Sequence, residues 1–328
     1  MVLELSRPTT SLDWLQSEAV VRADGAVMSW VNPDHPAYPY PEIAGYLLSY
    51  LAHQGASTMP VRARVAGRLV SDMSPRGGVG RDGIDYVFDS AMALAGLLAH
   101  RATGGSLPDR SMPRRLRDYI VRGLVERRAL DGVAPAAADH WSVSYGAHLL
   151  KCVISLLAYD DDQPEPGTSG LVAQLVDELL PLHDGERFRS NALTNTTYLH
   201  AHCYAVEGML VLDGRGHSGL RLTIERSADW LARIQLADGG LPGGHDGVAP
   251  LGVAHADCTA QAVRIWSCVD ATRYRGSIER ARDYLTTLTV DGGVRYRAGS
   301  NDINTWATIF AAQAADFVHA GGEWRWII

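Results

Sequence analysis

The chain has 328 residues, 46% of them hydrophobic and 20% charged, which allows one large domain or two ordinary ones and argues against disorder. Its net charge is -7 with no basic block, which excludes nucleic acid and anionic membrane surfaces as main partners. There is no run of about 18 apolar residues to span a membrane, and residues 1–13 lack the apolar core of a signal peptide.

Four cysteines, Cys152, Cys203, Cys258 and Cys268, have no close pairing spacing and fit a reducing compartment. A cytoplasmic protein is expected.

Short turns punctuate the chain at Gly77-Gly78, Asp131-Gly132, Asp184-Gly185, Asp238-Gly239 and Asp291-Gly292. The last four are 53, 54 and 53 residues apart, and the first fits the same period. Such regularity is the signature of a repeat architecture. Before each turn the sequence predicts an amphipathic helix with a charged side: 61–73, 114–127, 171–182, 220–235 and 278–288. After each turn it predicts a more apolar helix rich in small residues: 86–100, 142–157, 199–212, 257–269 and 305–317, with 42–53 as the first of this type. Residues 11–21 supply the twelfth helix. A helix apolar nearly all round is buried, and one with a charged face lies at the surface. Six such pairs predict an all-α fold, a closed single-domain (α/α)6 toroid over residues 1–328.

Closure concentrates chemistry. The inner helices of such a ring run the same way, so the loops entering them build the mouth of one cavity. Every entrance carries polar or titratable groups. The first has Tyr38, Tyr40 and Glu42; the second Asp85 and Asp89; the third His140, Trp141 and Tyr145. The fourth has Asn191, Asn195, His200, His202 and Cys203; the fifth His255, Asp257 and Cys258; the sixth Asp302, Asn304 and Trp306. The outer-helix entrances carry no comparable set. Asp257, His255, Cys258 and His200 are the catalytic candidates. Glu42, Asp85, Asp89, His140, Tyr145, Asn195, His202, Cys203, Asp302, Asn304 and Trp306 are the substrate-binding candidates. A simpler role competes for Asp257, the N-cap of its helix. Trp324 and Trp326 fit a C-terminal anchor or a sugar-binding floor.

The stretch from Trp230 to Leu241, WLARIQLADGGL, resembles the QW-type repeat of terpene cyclases and protein prenyltransferase β subunits. Tyr284 to Val294 is a weaker copy. Asp257-Cys258-Thr259-Ala260 is similar to the Asp-Cys-Thr-Ala-Glu motif of oxidosqualene cyclases, with Gln261 in place of the glutamate. The resemblance implies proton-initiated cyclisation or isomerisation with Asp257 as the acid. It also has departures. The chain has room for one helical domain where those cyclases have two. Asp160-Asp161-Asp162 lies at the wrong end of an inner helix to be a proton donor at the mouth. Four phenylalanines are few for a cavity that steers carbocations.

Two zinc arrangements compare with known families. The Asp257-Cys258 pair fits the prenyltransferase ligand spacing only loosely. Cys203, Cys258 and either His202 or His255 form a set similar to that of lanthionine cyclases, whose flanking motifs are absent. No metal or other cofactor is expected. The alternative function is a carbohydrate-active toroid, a sugar epimerase or polysaccharide lyase, in which His200, His255 and Asp257 share acid and base roles. A third is a non-catalytic ligand-binding toroid. The partner is a small molecule, prenyl-derived or sugar-like.

Overall fold

A computed structural model describes residues 10–132 and 141–327. Among them are twelve α-helices. The outer ones are α1 (Ser11–Gln16), α3 (Met59–Asp72), α5 (Met112–Val125), α7 (Thr168–Leu179), α9 (Arg221–Arg233) and α11 (Arg275–Leu288). The inner ones are α2 (Pro41–His53), α4 (Val87–Ala102), α6 (Val153–Asp162), α8 (Leu199–Gly214), α10 (Ala256–Asp270) and α12 (Thr305–Ala320). Inner helices bury nearly every residue: α8 is closed to solvent from Ala201 to Leu212. The outer helix α5 buries only one stripe, including Leu116, Tyr119, Ile120 and Leu124. Each inner helix packs on the next, and α12 packs back on α2, so the ring closes as the repeat predicts. No helix among the described residues is long and apolar enough to cross a membrane.

Two helices differ from expectation. The first ends at Gln16, where Ser17 turns extended, and Val21 then pairs with Val27 across a turn whose Gly25 has φ +86°. The third inner helix begins later than predicted. Gly146, with extended backbone, breaks it from the short turn Trp141–Val143, and it starts as a 3₁₀ segment, Ala147–Cys152.

The sequence gives little warning of three small antiparallel sheets at the mouth end, because their strands are two to six residues long. One pairs Trp30–Val31 with Ile303–Asn304, so the N-terminal segment and the last repeat close the ring through backbone hydrogen bonds as well as packing. A second joins 79–81, 84–86 and 130–131. The third joins 197–198, 241–245 and 250–255.

The repeat has a physical core. In three repeats a hydroxyl in the first turn of the inner helix donates back to the carbonyl four residues before it. The same hydroxyl accepts the N–H that follows the glycine turn. Ser90 does this with Tyr86 and Val79, Thr259 with His255 and Leu241, and Thr308 with Asn304 and Val294, at 2.6–3.0 Å. The second turn glycine lies under an aromatic ring of the next outer helix. A Cβ at Gly78, Gly240 or Gly293 would come within 2.8, 2.9 or 2.7 Å of Tyr119, Tyr284 or Trp14. The Gly-Gly spacing therefore records ring packing.

Trp230 and Gln235 belong to the same scaffold. Trp230 is buried against His202 and His245 with ring centroids 4.9 and 5.4 Å apart. The Gln235 side-chain amide donates to the Gly239 and Ser277 carbonyls at 2.8 and 2.9 Å, tying one outer helix end to the next. Trp230→Ala is expected to lower the unfolding free energy by about 3–5 kcal/mol, measured by chemical denaturation. A loss below about 1 kcal/mol would contradict the packing described.

Candidate active site

At five of the six inner helices the chain arrives in extended backbone and turns directly into helix, with Tyr40, Tyr86, Tyr198, His255 and Asn304 at the cap positions. The first-turn side chains therefore point to the mouth from fixed backbone. Between them lies a cavity of about 550 Å³. Its walls include the aromatic residues Tyr38, Tyr40, Trp141, Tyr198, Tyr296 and Trp306, and its polar lining includes Glu42, Arg81, His200, His255, Asp257 and Cys258.

Asp257 is not an N-cap. His255 occupies that position, and Asp257 stands in the first turn of α10, 2% exposed. One carboxylate oxygen accepts the Cys258 N–H at 2.7 Å. The other accepts the Trp306 indole N–H at 3.1 Å and lies 3.6 Å from His200 Nδ1. The carboxylate is thus held by two donors and an imidazole, on a helix end that favours negative charge. His255 Nδ1 lies 3.2 Å from the Tyr296 hydroxyl, and its ring lies over Gly243, where a Cβ would come within 2.5 Å of the ring. Gly243 stands at a register shift between the two long strands, so the bulge makes room for the imidazole. Burial holds the His255 pKa below its ordinary value, with Asp257 opposing. His255 is therefore neutral at pH 7 and able to accept a proton.

Across the cavity, Glu42 in the first turn of α2 accepts the Tyr204 hydroxyl at 3.1 Å. Behind it, Asp89 is 3% exposed, and burial, with Glu42 beside it, drives its pKa well above the carboxylate range. The Cys258 thiol is also pushed well up, by burial and then by Asp257, which keeps it a thiol rather than a nucleophile.

Of the predicted site residues, Glu42, His200, His255, Asp257, Cys258 and Trp306 meet in the cavity, with Asp89 behind them. Others serve the scaffold. Asp85 accepts Ser74 Oγ at 2.5 Å and Arg76 Nε at 2.7 Å. The Tyr145 hydroxyl donates to Glu178 on the outer ring. Asn195 links Arg187 and the Asp246 carbonyl. Asp302 binds Asn32 at the rim, and Asn304 caps α12. Cys203 is buried in the core. His140 lies outside the described residues. His202 is the clearest correction: its Nδ1 accepts the Phe188 N–H at 3.1 Å, the role that Ser90, Thr259 and Thr308 fill in the other repeats. The lanthionine-like ligand set built on His202 therefore does not form. Among the described residues, the group that could hold an ion is instead His200, Asp257 and Cys258, with ligand atoms within 4.8 Å of one another.

His202 gives a pH prediction. Burial lowers its pKa to about 3 from an ordinary 6.5. The folded state therefore binds fewer protons than the unfolded state below pH 6.5, and stability falls as pH drops through that window toward 3. The loss is on the order of 5 kcal/mol over the full shift. Denaturation curves of His202→Thr, which copies the other repeats, are expected to show a flatter acid slope. An unchanged slope would refute the assignment.

Sequence reading missed Arg81, Tyr198, Gly243, Leu251 and Tyr296, all of which line the cavity. Arg81 had a signal, since Asp82-Gly83 is a two-residue hairpin turn with φ of +54° and +75° that folds Arg81 back against Ile84.

No protein-family model matches the chain, and no curated protein matches it. Solved structures do. A sugar epimerase from a ruminal bacterium superposes with TM-score 0.71 at 9% identity, covering 94% of this chain and 96% of that one. The cellobiose 2-epimerase of Bacillus thermoamylovorans gives 0.67 at 11%, covering 93% and 97%. A polysaccharide lyase gives 0.57 at 14%, covering 86% and 91%. The chain shares the α/α-toroid fold of these structures. These matches overturn the resemblance to terpene cyclases and prenyltransferases, and with it cyclisation by Asp257. The QW-like residues are ring-packing devices, and Thr259 of the Asp-Cys-Thr-Ala stretch is a hairpin tie, so neither carries that activity.

Proposed function

We propose that this chain is a carbohydrate-active enzyme that moves a proton on and off a sugar carbon, as an epimerase or lyase. His200, His255 and Asp257 share the acid and base roles. The observation that carries the reading is two imidazoles and one carboxylate converging on the floor of an aromatic-walled cavity. Neutral His255 accepts a proton from a carbon next to a carbonyl or carboxyl group. Asp257, beside His200, stabilises the His200 imidazolium, which delivers a proton to the opposite face of the carbon or to the leaving group and is left as neutral imidazole. Trp306, Tyr40 and Tyr296 offer apolar faces to the sugar ring. Epimerisation and elimination share the first step and differ in whether the carbon is reprotonated or a leaving group departs. The superposed toroids, two sugar epimerases and a polysaccharide lyase, support this class.

The test is a screen of reducing disaccharides, sugar acids and uronate-containing oligosaccharides in deuterated water. Deuterium entering a C–H position, or an unsaturated uronide appearing, is the expected result. A complete lack of both across the panel would overturn the reading.

A further inference from the structure

Arg81 is the one arginine or lysine lining the cavity among the described residues. Its guanidinium stacks on Tyr40, 4.4 Å from the ring centroid, and its Nη1 donates to the Tyr38 hydroxyl at 3.0 Å. The fork is therefore held flat and oriented from a strand that is itself pinned by a tight hairpin. No carboxylate of the described residues lies within ion-pair distance of it. Its Nε and Nη2 edge has no protein acceptor among them either. Arg297, whose charge reaches His255, does not line the cavity. Arg76 binds Asp85, and Arg187 binds Thr197 and Asn195. Asp89 and Glu42 act on the guanidinium from beyond ion-pair distance and favour its charged form.

A stacked guanidinium with one free edge, on an otherwise aromatic wall, matches the geometry of a planar carboxylate bound through two parallel hydrogen bonds. Neutral sugars offer it hydroxyl pairs, which are uncharged and weaker acceptors than a carboxylate. We infer that the substrate is an acidic sugar, a uronic acid residue whose carboxylate is bound by Arg81. This rests on the carbohydrate reading above and narrows its substrate class. A uronate also carries the acidic C–H beside its carboxyl group that the imidazoles need, and Arg81 would stabilise the charge that develops on that carboxyl group when the proton leaves.

The test is calorimetric binding of D-glucuronate, D-galacturonate, D-glucose, D-galactose and D-glucose 6-sulfate. Wild type, Arg81→Gln and Arg81→Lys are compared. Wild type is expected to bind a uronate roughly ten- to a hundredfold tighter than its neutral sugar. Arg81→Gln is expected to erase that preference. Arg81→Lys, which keeps the charge and loses the fork, is expected to retain part of it. Equal binding of acidic and neutral sugars by wild type would overturn the inference, whatever the variants do. So would tighter binding of the 6-sulfate than of glucuronate, which would mean that charge rather than carboxylate geometry is read. The two readings fail separately. Deuterium exchange into a neutral sugar alone would leave the enzyme class standing without the uronate. Uronate binding through Arg81 without exchange would do the reverse.

Discussion

Asp257→Asn is expected to lower turnover of any accepted sugar by at least about a hundredfold while the melting temperature moves little. The asparagine has the same shape and can still accept the Cys258 N–H. What it loses is the charge beside His200 and one acceptor for the Trp306 indole, a hydrogen bond of about 1 kcal/mol. A cap would tolerate the change, because Asn caps about as well as Asp. The structure removes that role, since His255 is the cap residue and Asp257 faces the cavity. His200→Gln is expected to fall in parallel if the two act as a unit, and the double variant is then expected to be no worse than either alone. The comparison is made with steady-state rates by deuterium incorporation, beside thermal unfolding of each protein. A wild-type rate in Asp257→Asn would remove the carboxylate from the chemistry.

The ring was readable because it is written redundantly. The 53–54-residue spacing, the alternation of helix types and the turn glycines each encode the same packing event, a glycine under an aromatic ring of the next outer helix. The site was readable only by position. Polar residues at inner-helix entrances could be collected, yet their roles depend on a single residue of offset. His200 and His202 sit two positions apart on α8. The first faces the cavity, while the second is the fourth residue of its repeat and ties down a hairpin. Nothing in the residue type separates them. Comparison with the hydroxyls at Thr259 and Thr308 does, once the repeat is aligned by position rather than by composition. Arg81 and Tyr296 escaped because they reach the cavity from short hairpins, and strands of two or three residues leave no periodicity to detect.

Below the cavity the barrel axis is closed by charge rather than by aliphatic packing, and this gives a large expected stability effect coupled to pH. Lys151, Glu207 and Arg264 are all fully buried. Glu207 on α8 accepts Lys151 Nζ at 2.7 Å from the 3₁₀ segment before α6, and accepts Arg264 from α10. Arg264 also donates to Gln313 on α12 at 2.7 Å. Both cations lie over aromatic rings, Lys151 over Tyr204 and Arg264 over Phe310, at 4.4 and 4.1 Å. One carboxylate therefore ties three inner segments, with a fourth reached through Arg264. Glu207→Gln keeps the volume and removes the charge between two buried cations, which is expected to cost about 3–5 kcal/mol by denaturation. The proton balance shifts as well. Burial, opposed by Glu207, sets the Lys151 pKa at about 8, below its ordinary 10.5. The folded state thus binds fewer protons than the unfolded state between those values, and this group makes stability rise with pH across that window. Without Glu207 the pKa falls further, so the rising limb is expected to begin at lower pH in the variant. Replacing the whole set with apolar residues, Lys151→Leu with Glu207→Leu and Arg264→Met, is expected to recover much of the loss, because no charge is then left buried. A single-variant cost under about 1 kcal/mol, with an unmoved pH profile, would show that the plug is solvated and does not hold the ring.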